Sequence, residues 1–497
     1  MASCSGVSAL SAPHPHVTGV RPNFIAGSWR EGADALENVN PSDTRDIVGT
    51  YARASAHDVE DAVSAAKAAF PHWAQGPAGT RAEVLDAIGT EIIARKDELG
   101  DLLAREEGKT LPEAVAEALR AGQIFKYFSA ESYRAEGATY RSLRPGVTLE
   151  VRREPLGVVG AITPWNFPLA IPAWKIAPAL AFGNTVVFKP AGLVPGSAWA
   201  LAEIIARAGL PAGAFNLLMG QGADVGAALA AHPDVAGVTF TGSTDVGRRM
   251  GAEIFARGGR MQLEMGGKNP LIVLDDADPD EATDLAIAGA FHSAGQRCTA
   301  SSRLIVTGGI HDTFVEQMVE KMARLRVDDA RKSGTDIGPV VSEPQRAIHL
   351  DYVHVGEREG AVRAIGGDIL ARATPGWYLS PALFTSARPD MRICREEIFG
   401  PIAAVIRAGT YEEALAVAND TDFGLSAGIV TKNRARIDHF LASVQAGMAQ
   451  VNLPTAGMDF HAPFTGRKHS SFGPPEKGSE CREFFTVAKV VHAAYGG

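Results

Sequence analysis

From Val158 onward, short and fully apolar runs alternate with amphipathic segments, and this rhythm confines the chain to one class of architecture. Val158-Val159-Gly160-Ala161-Ile162 and residues 185–189 read as strands with no polar face; a helix over 197–208, a strand over 215–219, a helix over 223–232, a strand over 235–240 and a helix opening at Ser243 follow. Strands apolar on both faces need cover on both sides, and a strand–helix alternation joins neighbouring strands in parallel. The expected fold is therefore α/β with a doubly wound, Rossmann-like sheet. A second alternating set starts at Asn269-Pro270-Leu271-Ile272-Val273 and runs through Leu304-Ile305-Val306, a helix over 311–324 and another over 411–419, which predicts a second α/β domain. A length of 497 residues leaves room for two or three such units.

The flanking regions differ in period. Residues 58–73 and 81–106 place apolar side chains at three-and-four spacing, the mark of amphipathic helices, so the N-terminal portion is expected to be helix-rich. Residues 147–153 alternate as an exposed strand able to pair with another chain, and 484–491 alternate as a last strand. Between them, 452–478 is rich in Gly, Pro, Ser and Phe without periodicity, the pattern of a long loop over a site.

Composition excludes several classes of function. The net charge of −9 is spread along the chain without a Lys/Arg block, which argues against a nucleic-acid partner. The four cysteines, Cys4, Cys298, Cys394 and Cys481, lack any disulfide or zinc-ligand spacing, so no metal is expected and a reducing compartment fits. The first twenty residues carry no Lys or Arg and no apolar core, reading as a loose tail rather than a signal peptide. The best membrane candidate, 171–182, is shorter than the roughly 18–20 residues a span needs and is interrupted by Lys175 and two prolines. The expected location is the cytoplasm.

The chemistry concentrates in a few short words. Cys298 ends Gly295-Gln296-Arg297-Cys298 and lies 34 residues after Glu264 of Leu263-Glu264-Met265-Gly266-Gly267-Lys268. A thiolate is the strongest side-chain nucleophile, and a glutamate in a Gly-rich turn can activate water to release what the cysteine has captured. Thr163-Pro164-Trp165-Asn166-Phe167-Pro168 and Lys189-Pro190-Ala191 each follow a buried strand, where ligands of open α/β sheets bind. Asn166 can serve there as a carboxamide donor or as a helix cap. Gly242-Ser243-Thr244 and Gly247 follow another strand and open a helix, a place where backbone N–H groups meet phosphate.

With Arg395-Glu396-Glu397-Ile398-Phe399-Gly400-Pro401 added, the set resembles the aldehyde dehydrogenase superfamily from about residue 22 to 491. The resemblance implies Cys298 as nucleophile, Glu264 as the base for water, and the Asn166 amide with the Cys298 backbone N–H as the oxyanion site. It further implies a nicotinamide cofactor held by Lys189, Gly242, Ser243 and Glu397, with Trp165 and Phe399 beside it. Many NAD-preferring members carry a glutamate three residues after the lysine that repels a 2′-phosphate, whereas this chain has Gly192, so NAD or NADP is expected, with NADP tolerated. Segments 295–303 and 451–468 are particularly similar to the branch oxidising 2,5-dioxopentanoate. Pro463-Phe464-Thr465-Gly466, where the family more often has Pro-Phe-Gly-Gly, and the proline-heavy 473–477 depart from it.

Arg297 beside the nucleophile is either a clamp for a substrate carboxylate or part of a structural ion pair; His461 and Phe464 either line the substrate mouth or simply pack. The domain expectation is 17–138 with 156–265 for the cofactor, 266–478 for catalysis, and 139–155 with 479–497 as a bridging β element that makes a homodimer or homotetramer. Other readings are oxidation of a different semialdehyde or of a broad aldehyde range, acyl transfer to coenzyme A, which Glu264 disfavours, and a catalytically silent cofactor-binding scaffold.

Overall fold

The computed structural model describes residues 19–495 apart from 33, 135 and 136; the tail that holds Cys4 lies outside the described residues. Five parallel strands stand in the order Phe215–Leu217, Thr185–Lys189, Val158–Ile162, Gly237–Thr241 and Arg260–Glu264. The chain winds outward from Val158–Ile162 for two strands, then crosses back to the other side of it. The order thus reverses between Val158–Ile162 and Gly237–Thr241, creating a crevice beyond their carboxyl ends. Two antiparallel strands, Asn23–Ile25 and Ser28–Arg30, extend one edge; Ser471–Phe472 closes the other edge against Arg260–Glu264.

A second sheet runs Val362–Ile365, Ala382–Thr385, Ile402–Ala408, Ser301–Thr307, Asn269–Val273, Ser426–Val430 and Met448–Val451, parallel throughout except at Val362–Ile365. Val147–Pro155 forms the centre of a three-stranded antiparallel sheet, with Ala138–Arg141 on one side and Thr486–Ala494 on the other. The helix Ala170–Ala181 is buried along its whole length and packs against Leu111–Glu131 and Ala78–Ala94.

Several local expectations change. The helix expected over 81–106 divides at Arg95 into Ala78–Ala94 and Lys96–Glu107, where the Arg95 guanidinium gathers Glu91, Glu98 and Glu203. Apolar spacing continues through that joint, so periodicity does not register it. The helix expected over 223–232 opens as a π-turn, Gly222–Gly226, before Ala227–Ala231. The last strand starts at Thr486: Phe484 and Phe485 turn into the short helix Arg482–Phe485 and fill the core, because two adjacent bulky rings cannot both face inward on one strand. The N-terminal portion is not only helical, since Asp34–Val39 pairs with Ile47–Arg53 and Asn23–Ile25 joins the first sheet through Phe24 opposite Leu217. Asn23–Ile25 is only three residues long and owes its place in the sheet to a distant partner.

Candidate active site

Glu264 ends its strand at the carboxyl edge of the first sheet, and the chain then turns through Gly266 and Gly267 into the second. Both glycines are required by close approach: a Cβ on Gly266 would lie 2.0 Å from the Glu397 carboxylate, and one on Gly267 would lie 2.7 Å from the Cys298 carbonyl oxygen. The Gly267 N–H donates to Glu397 Oε1 at 2.9 Å. Cys298 follows the 3-10 turn His292–Gly295, in which Ser293 and Ala294 hold positive φ. Asn269 Nδ2 donates to the Cys298 carbonyl at 2.8 Å, and Asn166 Nδ2 donates to the Gln296 carbonyl at 3.0 Å. The two loops from which the nucleophile and the oxyanion donor were expected are therefore joined by a hydrogen bond.

The charge environment is dense. Glu264 is buried, and Ser471 Oγ donates to its Oε2 at 2.5 Å. Burial first, then the nearby negative charge of Glu476, hold the Glu264 carboxyl well above its ordinary pKa, while the Ser471 hydroxyl, Lys175 and Lys477 act in the opposite direction. Burial, together with Glu397, Glu264 and Glu476, pushes the Cys298 thiol up to about 12, and Lys477 lowers it. Glu476 and Lys175 form a fully buried ion pair that also involves Trp174 Nε1, at 2.5 Å from Glu476 Oε2, and Thr239 Oγ1, at 2.9 Å from the lysine. Lys175, Ser471, Glu476 and Lys477 escaped the sequence reading. The signal for Lys175 was present in the interrupted apolar run over 171–182, since a lysine in an all-apolar helix must be paired.

Around the crevice the structure leaves unmatched donors. Lys189 ends its strand 4% exposed with no hydrogen bond to its ammonium among the described residues, and burial holds its pKa down at about 8. Ser243 stands at the N-cap of the helix Thr244–Ala256 in an extended conformation, and beside it the buried Thr241 and Thr244 hydroxyls have no partner among the described residues. Gly242 is pressed against the Phe240 ring. Trp165 meets Phe399 edge-on, with centroids 5.3 Å apart, and burial raises Glu397 to about 7. Orphaned donors at a helix start and a strand end fit the phosphates and hydroxyls of a dinucleotide. Gly192 is exposed, and a Cβ there would make an ordinary contact, 3.7 Å from the Gly220 carbonyl oxygen.

Of the substrate candidates, Arg297 is engaged elsewhere: Nη2 donates to Glu113 Oε1 at 2.5 Å, and Nε donates to Ser293 Oγ at 3.0 Å. Glu113 itself accepts from the Thr110 N–H and hydroxyl at the start of the helix Leu111–Glu131. Phe464 is buried, stacks on Trp174 with centroids 5.8 Å apart, and belongs to the apolar group that packs against Cys298. His461 is exposed and lies against Phe460. Among the described residues no cluster could hold a metal ion, and no helix is long and apolar enough to cross a membrane.

Comparison with known proteins gives a consistent result. The alpha-ketoglutaric semialdehyde dehydrogenase of Bacillus subtilis is 44% identical over 476 residues, covering 94% of this chain and 97% of that protein. The alpha-ketoglutarate semialdehyde dehydrogenase of Haloferax volcanii is 42% identical over 480 residues, covering 95% and 99%. A crystal structure of betaine aldehyde dehydrogenase from Staphylococcus aureus in complex with NAD+ superposes with a TM-score of 0.93 at 32% identity, covering 95% of this chain and 95% of that one. The model of the aldehyde dehydrogenase family matches residues 29–491. The chain thus belongs to the aldehyde dehydrogenase family and is an oxidoreductase acting on aldehydes.

Proposed function

We propose that this enzyme oxidises 2,5-dioxopentanoate to 2-oxoglutarate with hydrolytic release of the acid. The observation that carries the hydrolytic part is Glu264: a buried carboxyl, raised in pKa and steered by Ser471, on the loop that abuts the Cys298 backbone. The substrate rests on the names of the Bacillus and Haloferax relatives, which align with nearly all of this chain.

Cys298 reacts as the thiolate, its proton released to solvent: Sγ bonds to the aldehyde carbon, and the carbonyl electron pair moves to oxygen. That oxygen is held by Asn166 Nδ2, turned from the Gln296 carbonyl, and by the Cys298 N–H. When bound along Lys189, Gly242, Ser243, Glu397, Trp165 and Phe399, a nicotinamide dinucleotide, NAD or NADP, supplies the hydride acceptor. The acyl group remains on sulfur as a thioester. Glu264 then takes a proton from water, the water oxygen bonds to the acyl carbon, and the carbon–sulfur bond breaks to free the acid and the Cys298 thiolate.

The cofactor domain is assigned to 17–138 with 156–265, the catalytic domain to 266–478, and a bridging element to 139–155 with 479–497. The edge strand Ala138–Arg141 is exposed at every residue, and Tyr140, Leu143 and Val490 present apolar surface nearby. Pairing of this element with a second copy would cover that surface in a dimer or a dimer of dimers. The test is the initial rate with 2,5-dioxopentanoate and with pentanal, each with NAD and NADP, and identification of the product. A strong preference for the dioxo acid with 2-oxoglutarate formed is expected; equal use of pentanal refutes the substrate assignment.

A further inference from the structure

The pairing of Arg297 with Glu113 leaves the substrate reading without its expected cation, and a different positive centre lies on the other side of the site. Lys477 is 2% exposed, yet among the described residues its ammonium, with three N–H donors, has one hydrogen-bond partner, the Asp459 carbonyl at 3.1 Å. It stands 5.1 Å from the centroids of both the Trp174 and the Phe464 rings. Phe464 packs in turn with the group that contacts Cys298, so the ammonium and the nucleophile share one aromatic wall. The backbone of Lys477 holds φ +58, a conformation L residues adopt at a cost and that concentrates at functional sites.

Arg120 is the second member. It lies on the helix Leu111–Glu131, three residues after Glu117, whose Oε1 accepts from the N–H groups of Leu169 and Ala170 just beyond Asn166. It also lies seven residues before Tyr127, whose ring meets Phe460 in the loop over the site. Positions 117, 120 and 127 recur at helical spacing, so Arg120 faces the same way. It is half-buried and carries no hydrogen bond or ion pair among the described residues, and after burial its positive charge is the foremost influence that lowers the Lys477 ammonium. Of the carboxylates that act on Lys477, Glu476 is held by Lys175 and Trp174, and Asp459 bonds the ammonium through its backbone carbonyl, so an added anion would relieve the repulsion between the two cations.

We propose that Lys477 and Arg120 together receive the carboxylate of an acidic aldehyde whose carbonyl carbon is bonded to Cys298. A five-carbon chain spans about 5 Å when extended, and with its aldehyde end at the thiol such a substrate would lie along Phe464, which packs with the group that contacts Cys298 and lies under the Lys477 ammonium. Lys477 has two N–H donors free for the two carboxylate oxygens, and the planar guanidinium of Arg120 suits the same group. The aromatic walls shield this end from water and strengthen the contact. This inference rests on the semialdehyde reading above and deepens it by naming what selects the acid.

The test compares wild type with Lys477→Met, Arg120→Met and Arg297→Ala, using kcat/KM for 2,5-dioxopentanoate divided by that for pentanal. The ratio should fall at least tenfold in each of the first two variants, chiefly through KM for the acid, and stay at the wild-type value in Arg297→Ala. Binding of glutarate, measured by calorimetry without turnover, should weaken in the same two variants, which keeps the result readable if one of them turns over poorly. A wild type that prefers the dioxo acid, with a ratio and a glutarate affinity unmoved by both substitutions, overturns the cation pair and leaves the substrate reading standing. A wild type that uses pentanal equally and does not bind glutarate overturns both.

Discussion

Replacing Ser471 by alanine isolates what tunes the base. Ser471 Oγ donates to Glu264 Oε2 at 2.5 Å, while the backbone ladder that places it, Glu264 opposite Ser471 and Leu263 opposite Phe472, does not involve the hydroxyl. Glu264 already sits well above the ordinary glutamate range because of burial and of Glu476, and the Ser471 bond is the foremost influence that lowers it. A hydrogen bond to a charged group contributes about 1.5–3 kcal/mol, and about 1.4 kcal/mol corresponds to one pKa unit. Ser471→Ala should therefore raise the Glu264 pKa by a further ~1–2 units. The ionised form is the one that accepts a proton from water, so its fraction, and with it thioester hydrolysis, falls about 10- to 100-fold at pH values below that pKa and recovers above it. The assay is kcat against pH from about 6 to about 10, with a stopped-flow record of nicotinamide reduction. The acid limb should move up, and a burst of reduced cofactor should grow at neutral pH as hydrolysis becomes limiting. An acid limb that stays in place or moves down, or a loss equal at every pH, refutes the reasoning and makes Ser471 a packing residue.

Three further outcomes are expected. Gly192→Glu places a carboxylate at an exposed position whose Cβ meets only an ordinary contact, near the expected ribose site, and should reduce kcat/KM with NADP relative to NAD by about tenfold or more; an unchanged ratio would show that the cofactor's 2′ position lies elsewhere. Lys175→Met removes the buried partner of Glu476 and should cost about 3–5 kcal/mol in denaturant unfolding, with Lys175→Met/Glu476→Gln costing less than the sum of the single changes; additive losses would rule out direct coupling. Burial and Arg120 hold Lys477 down at about 8, so it loses its charge as pH rises through that value. In the free enzyme kcat/KM for 2,5-dioxopentanoate should then decline above about pH 8 with a limb that pentanal does not share, the groups facing the ammonium being Arg120, Glu476, Cys298 and Asp459.

Sequence alone determined the parts of this protein that are written locally. Val158–Ile162, Thr185–Lys189 and Asn269–Val273 appear as strands within the bounds their apolar runs suggested, since a strand covered on both faces leaves a contiguous apolar signature. The short words around Glu264, Asn166 and Cys298 stood out in the sequence because each sets a reactive side chain beside its own turn residues within a few positions. Tertiary structure decided everything that depends on partners far along the chain. The strand order that puts Gly237–Thr241 beside Val158–Ile162, the N-terminal strand carrying Phe24 opposite Leu217, and the Ser471 hydroxyl on Glu264 join segments separated by 75 to 207 residues. Arg297 admitted two roles in the sequence, and only the helix carrying Glu113 supplied its partner. Lys477 and Arg120 lie in a proline-heavy loop and on an ordinary amphipathic helix. Neither segment's period says which charges will meet, because electrostatic neighbourhood is set by packing through space and leaves no trace in local spacing.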